Sequence, residues 1–91
     1  MLQRVAILYN PFTEAAVTRS AELEVWLRAR GISVWRGVSQ EAREQIQALA
    51  DADLMVAMGG DGTVLRAARL CIPLGIPVLA VALGHLSFMA E

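Results

Sequence analysis

Leu54-Met55-Val56-Ala57-Met58 is an unbroken apolar run, and Gly59-Gly60-Asp61-Gly62-Thr63 follows it at once. Val64-Leu65-Arg66-Ala67-Ala68-Arg69-Leu70 then restarts at helical spacing. A short apolar run bounded by glycines reads as a strand buried on both faces, followed by a tight turn and a helix. Few architectures accept a fully buried strand that turns straight into a helix.

The turn has its own chemistry. Gly59, Gly60 and Gly62 tolerate φ > 0 and lack a Cβ, so backbone amides there can come close to a ligand. The free N–H groups at the start of the next helix, with its dipole, favour an anion such as phosphate. Asp61 is the informative residue, because a carboxylate does not belong in a pure anion cradle. It makes sense if it holds a metal ion on phosphate oxygens, or takes a proton from a hydroxyl attacking phosphorus. Against that stands a plainer role, in which Asp61 or Thr63 caps the helix and the glycines only make the turn. No Lys follows the glycines, so this is not the P-loop pattern, and it is not the G-x-G-x-x-G dinucleotide fingerprint.

The rest of the chain supplies the partners for that strand. Val5 to Tyr9 is a β-favouring apolar run stopped by Asn10-Pro11. Thr13 is placed to cap a first helix, with Ala16/Val17, Ala21, Val25 and Leu27 as its apolar repeat and Gly31 closing it. Ile32 to Trp35 alternates in polarity as an edge strand does. Ser39 is placed to cap a second helix, with Ile46 and Leu49 on its apolar stripe. A third helix is expected from about Thr63 to Leu70, turning Val64, Ala67, Ala68 and Cys71 inwards. Pro73, Gly75 and Pro77 break it, and Val78 to Ala82 is a fourth strand.

Strand and helix therefore alternate through residues 1–91, which implies one α/β domain with a doubly wound parallel sheet and right-handed crossovers. In the strand order 2-1-3-4, the first and third strands are neighbours whose crossovers leave to opposite faces. Their carboxyl ends then form the crevice in which such sheets bind ligands. The loops meeting there are Asn10 to Thr13 and Gly59 to Thr63, and both carry groups useful to a phosphate. Asn10 can donate to a phosphate or ribose, or can serve only as turn chemistry. Arg66 and Arg69 lie on one helix face and can neutralise phosphate charge, or can be a solvated surface.

Composition narrows the partners. A net charge of −1 gives no electrostatic case for nucleic acid or an acidic membrane. No apolar run reaches the length of a membrane-spanning helix. The single Cys71 permits no internal disulfide, reads as a buried inert thiol, and fits a cytoplasmic protein. A hydrophobic fraction of 56% is high for a domain of 91 residues, so apolar surface is expected to remain for a partner, and a homo-oligomer is expected. Trp26 and Trp35 read as packing groups, and His85 as a loop residue with no metal-ligand companions nearby in sequence.

Gly59-Gly60-Asp61-Gly62-Thr63 resembles the GGDGT signature shared by NAD kinases, diacylglycerol-type lipid kinases and, more distantly, phosphofructokinases. Arg66-Ala67-Ala68-Arg69, and then Gly75-Ile76-Pro77-Val78-Leu79-Ala80-Val81-Ala82-Leu83-Gly84-His85-Leu86-Ser87-Phe88-Met89, resemble the NAD kinase pattern. The Asn-Gly pair through which the lipid kinases resemble one another does not follow the helix here. The likeness runs from about Val5 to Glu91. Two positions depart from the family pattern: Ala82 stands where the family usually has Asn, and Ser87 where it usually has Gly.

The resemblance implies transfer of a terminal phosphoryl group from ATP or inorganic polyphosphate to the 2′-hydroxyl of the adenosine ribose of NAD, giving NADP. It also implies a divalent metal ion, with Mg2+ the natural candidate. Asp61 matches the catalytic position of the family; Gly59, Gly60, Gly62 and Thr63 would shape the phosphate approach. Family members continue into a β-rich domain that supplies most of the NAD pocket, so residues 1–91 are expected to be the N-terminal part of a two-domain kinase and inactive alone. A stand-alone nucleotide- or phosphate-binding module, or a lipid kinase relative, is the alternative.

Overall fold

The structure is a computed structural model and describes residues 2–83. Residues 84–91, with His85, Ser87 and Phe88 among them, lie outside the described residues. The sheet has four parallel strands: β1 (Arg4–Tyr9), β2 (Ser33–Gly37), β3 (Leu54–Gly59) and β4 (Val78–Ala82). Their order is β2-β1-β3-β4, the order on which the crevice argument depends. β1 is flanked on both edges, with Ile7 opposite Arg36 on one side and Val56 on the other. After the exposed Arg4 it is accordingly apolar, and Ile7 and Leu8 are completely buried. Each such side chain contributes about 1.5–3 kcal/mol by leaving water.

Helices cover the two faces unequally. α1 (Glu14–Arg28) sends Leu27 against Val5, Ile7, Val56 and Met58. The opposite face takes α2 (Ser39–Glu44), α3 (Ile46–Leu49) and α4 (Asp61–Cys71), whose Ala42, Leu49, Ala67 and Cys71 pack on Ala6, Leu8, Met55 and Ala57. The crossovers beginning at β1 and β3 thus leave to opposite faces. Among the described residues α1 is the one helix on its side, and an open apolar groove of about 620 Å3 runs beside it past Leu2, Trp26 and Leu79.

Several local expectations are corrected. The buried face of α1 is Ala16, Ser20 and Leu27, with Leu23 packed beside them, while Val25 is largely exposed. Arg36 explains the buried serine: its Nε donates to Ser20 Oγ and its Nη2 to Val17 O, and the guanidinium lies 4.3 Å from the Tyr9 ring centre. Thr13 does precede α1, but its side chain makes no capping hydrogen bond. The cap of α2 is Val38 rather than Ser39, and the Glu41 carboxylate reaches back to accept from Val38 N. The second helix is two helices, because Gln45 leaves the helical region at φ −113° and ψ 35°. Trp35 is half-buried against the core, but Trp26 is 51% exposed under the Arg30 guanidinium. Gly31 does close α1, at φ 80°, with Ile32 N donating to Leu27 O.

At the amino edge of the sheet, Asp53 joins β1 to β3. Its carboxylate accepts from the backbone N–H of Gln3 at 2.7 Å and of Arg4 at 2.9 Å. Those two bonds hold its pKa below the ordinary 3.8. A depressed folded-state pKa means that the unfolded chain binds the proton first as pH falls. The stabilisation is therefore complete above the ordinary value and is lost as pH drops through the folded one. The urea midpoint should fall between about pH 5 and pH 3 in the wild type, and fall less in Asp53→Asn. Parallel pH profiles for the two proteins would remove Asp53 from this role.

Candidate active site

The carboxyl ends of β1, β3 and β4 meet around one glycine. Asn10 N, just past β1, donates to Met58 O at 3.1 Å, and Leu83 N, just past β4, donates to Gly59 O at 3.0 Å. A Cβ built on Gly59 would stand 2.7 Å from Thr63 Oγ1 and 3.0 Å from Asn10 Cβ. Residue 59 must therefore be glycine for these segments to pack together. Among the three glycines of the turn, Gly59 alone has a positive φ, so the freedom expected of Gly60 and Gly62 is not used.

Among the described residues, no packing requires Gly60 or Gly62 to be glycine. A Cβ on Gly60 would meet nothing within 4 Å, and one on Gly62 only the movable end of Arg66 at 3.2 Å. Space is left on the outer side of the turn. A Cβ at either position would intrude on any group brought against those amides.

α4 begins earlier than Thr63. Gly60 is its N-cap, and Gly60 O accepts from Thr63 N at 3.1 Å and Val64 N at 3.2 Å. The capping position thus has no side chain, which removes the plainer role for both Asp61 and Thr63. Asp61 is the first helical residue, exposed, and its carboxylate appears in no hydrogen bond or ion pair among the described residues. A carboxylate in a first helical turn gains about 0.3–1 kcal/mol from the dipole, and nothing else among the described residues engages this one. Thr63 is buried against Gly59, wedged in the turn rather than facing outwards.

Asn10 spends part of its side chain on the loop: Oδ1 accepts from Phe12 N at 2.9 Å. Nδ2 remains to donate. Arg66 is exposed over Gly62 and, with Asn10 and Thr63, lines a cleft of about 460 Å3 beside the turn. Arg69 is exposed further along α4 and is not part of that cleft. The sequence reading missed Ser39, Gln40 and Arg43, which form the cleft's wall from α2. Only the strand order brings α2 beside α4, so no local signal marked them. Ala82 ends β4 directly beside Gly59 in the register, at the same edge. Cys71, the last residue of α4, is buried, and burial pushes its thiol pKa up, away from the reactive thiolate.

This architecture, with its loops gathered where the strand order reverses, defines a doubly wound α/β domain of the class that holds ligands at the carboxyl edge of its sheet. The model of the ATP-NAD kinase N-terminal domain matches residues 14–91. An NAD kinase of Chloroflexus aggregans is 69% identical over 100% of this chain and 33% of that protein. One of Chloroflexus aurantiacus is 66% identical over the same shares, and one of Dehalococcoides mccartyi 35% identical over 100% of this chain and 32% of its own. The chain belongs to the NAD kinase family, and spans about a third of the length of these curated relatives. The lipid kinase alternative is thereby set aside.

The packing around the turn separates its glycines. Gly59→Ala should cost about 1–3 kcal/mol, because Thr63 and Asn10 must both give way. At roughly 4–8 °C per kcal/mol for a domain this small, the thermal midpoint should fall visibly. Gly60→Ser, which places a capping hydroxyl in open space, should leave the midpoint unchanged or higher. Equal losses in the two melts would contradict the packing described.

Proposed function

We propose that residues 1–91 form the phosphoryl-transfer half of an NAD kinase, the N-terminal part of a two-domain enzyme. The substrates are NAD and either ATP or inorganic polyphosphate, and the product is NADP. One observation carries this beyond family membership. Asp61 is an exposed carboxylate, engaged by no other side chain among the described residues, between two glycines that packing does not require. A ribose hydroxyl is a poor nucleophile at neutral pH, and a carboxylate within hydrogen-bond reach helps by accepting its proton. Gly59 fixes the turn, Gly60 and Gly62 leave the approach open, and Asn10 and Arg66 offer donors to phosphate oxygens.

Among the described residues, no three His, Cys, Asp or Glu side chains gather into a metal cage. Mg2+ does not need one, since it keeps several waters and takes one or two carboxylates together with substrate phosphates. Asp61 fits the part of that single carboxylate. When bound, such an ion neutralises charge on the transferring phosphate. The same reading places the protein in the cytoplasm, consistent with its one buried cysteine; no helix among the described residues is long and apolar enough to cross a membrane.

The deciding experiment joins this chain to the remaining length of the Chloroflexus aggregans relative and follows NADP formation. Asp61→Asn keeps size and turn-forming ability, so its thermal melt should match the wild type closely. kcat should drop on the order of 10²–10⁴-fold if Asp61 works as general base. Activity within a few-fold of wild type would return Asp61 to a structural role. For residues 1–91 by themselves, the open groove beside α1 and the exposed Leu79 of β4 support self-association, and a chain spanning about a third of its relatives' length is expected to give no turnover. Sedimentation at high micromolar concentration should show dimers or larger species; a clean monomer would count against a homo-oligomer.

A further inference from the structure

We propose that the outward side of α1 is the surface through which two copies of this chain associate, antiparallel about a two-fold axis passing Trp26. This gives the self-association expected above a surface and a symmetry, and it does not depend on the kinase reading.

A helix lying on a sheet normally turns its polar residues outwards. The second half of α1 departs from that rule. Val25 is 69% exposed and Trp26 is 51% exposed, while Ser20 is buried. Ala21, Glu22, Val25, Trp26, Ala29 and Arg30 line one shallow hollow on the outer side of the helix and the turn that ends it. Glu22 and Trp26 also line the groove past Leu79, so the apolar surface continues from the helix onto the sheet.

The shape complements itself. Residues four apart on a helix stand in ridges. Glu22, Trp26 and Arg30 make a tall ridge, and Ala21, Val25 and Ala29 make a low one beside it. An antiparallel second copy sets the tall ridge of each over the low ridge of the other. Trp26 is fixed before contact. The Arg30 guanidinium carbon lies 3.5 Å from its ring centre, and Arg30 Nη1 donates to Trp26 O at 3.1 Å. A ring already held gives up little freedom on binding.

The order of charges selects a second copy as the occupant. Glu22 stands four residues before Trp26, and Arg30 four after it. About a two-fold axis at Trp26, Glu22 faces the partner's Arg30, and Arg30 faces the partner's Glu22. A parallel pair would set like charges against each other. Glu22 Oε1 accepts from Arg19 at 3.1 Å, which leaves Oε2 for the contact. Glu24 and Arg28 share the same spacing about Trp26 but pair with each other, and Arg28 Nη2 turns to Val34 O at 2.7 Å.

Sedimentation equilibrium over a concentration series, with wild type beside variants, is the test. Trp26→Ala should weaken the dimer about 30-fold or more, as loss of a central aromatic anchor does. Glu22→Lys and Arg30→Glu should each weaken it about tenfold, because the axis repeats every contact and the new pairs repel. The variant carrying both reversals restores opposite charges and should bind about threefold or more tighter than either single one. Within one copy the two positions lie about 12 Å apart along the helix, so that recovery reports a contact between copies. Circular dichroism melts confirm that each variant folds. A monomer at high micromolar concentration, or a double variant as weak as the two losses combined, would overturn the proposal. Dissociation by Leu79→Lys with none by Trp26→Ala moves the contact to β4 and overturns it as well. The chain joined to the remaining length of the Chloroflexus aggregans relative should give the same pattern. A joined chain indifferent to all three α1 changes has that side covered by the added length, and the interface is refuted. NADP formation by the joined chain reads the kinase assignment separately, so either reading can fail alone.

Discussion

Gly59 has room for a hydrogen atom and nothing more. Thr63 Oγ1 and the Asn10 side chain close on it from two sides, and Leu83 N takes its carbonyl. Segments separated by dozens of residues are held in one place by the absence of a single methyl group. The start of α4, and with it Asp61, is aimed from that contact. The cleft takes its Asn10 and Thr63 walls from it as well. A bulkier residue at 59 would part the loops, and each functional group would move independently of the others.

The frame was readable in the sequence because it depends on local signals. Four apolar runs, glycine and proline breaks, and helical spacing imply a four-stranded parallel sheet, and the structure orders it 2-1-3-4 with β1 buried on both faces. The errors came where a distant partner decides. Val25 looks like a core residue by hydropathy, yet the inward face of α1 includes Ser20, because Arg36 from β2 satisfies that hydroxyl. Ser39 looks like a cap, yet Glu41 supplies the bond at Val38. Thr63 and Asp61 both look like caps, and Gly60 is the N-cap instead, with Asp61 the first helical residue. Arg43 carried no local mark at all. What makes it notable is a neighbour on α4, reached only through the strand order.

The faces of the sheet divide the labour. Three helices on one side build the denser cluster, and two of them, α2 and α4, also frame the cleft. On the other side α1 stands alone beside an apolar groove. The polar cleft and the unsatisfied apolar surface are thereby kept at different places on the molecule. Covering the groove need not obstruct the carboxyl edge.

The bond from Phe12 N to Asn10 Oδ1 has a consequence for the thermodynamics of recognition. A loop that must stiffen around its ligand loses conformational freedom at the moment of contact. Here the side-chain amide is already held at its oxygen end, so its orientation was settled when the chain folded. The entropy was surrendered once, during folding, and is not charged again to each encounter. A group approaching this loop finds that amide already turned.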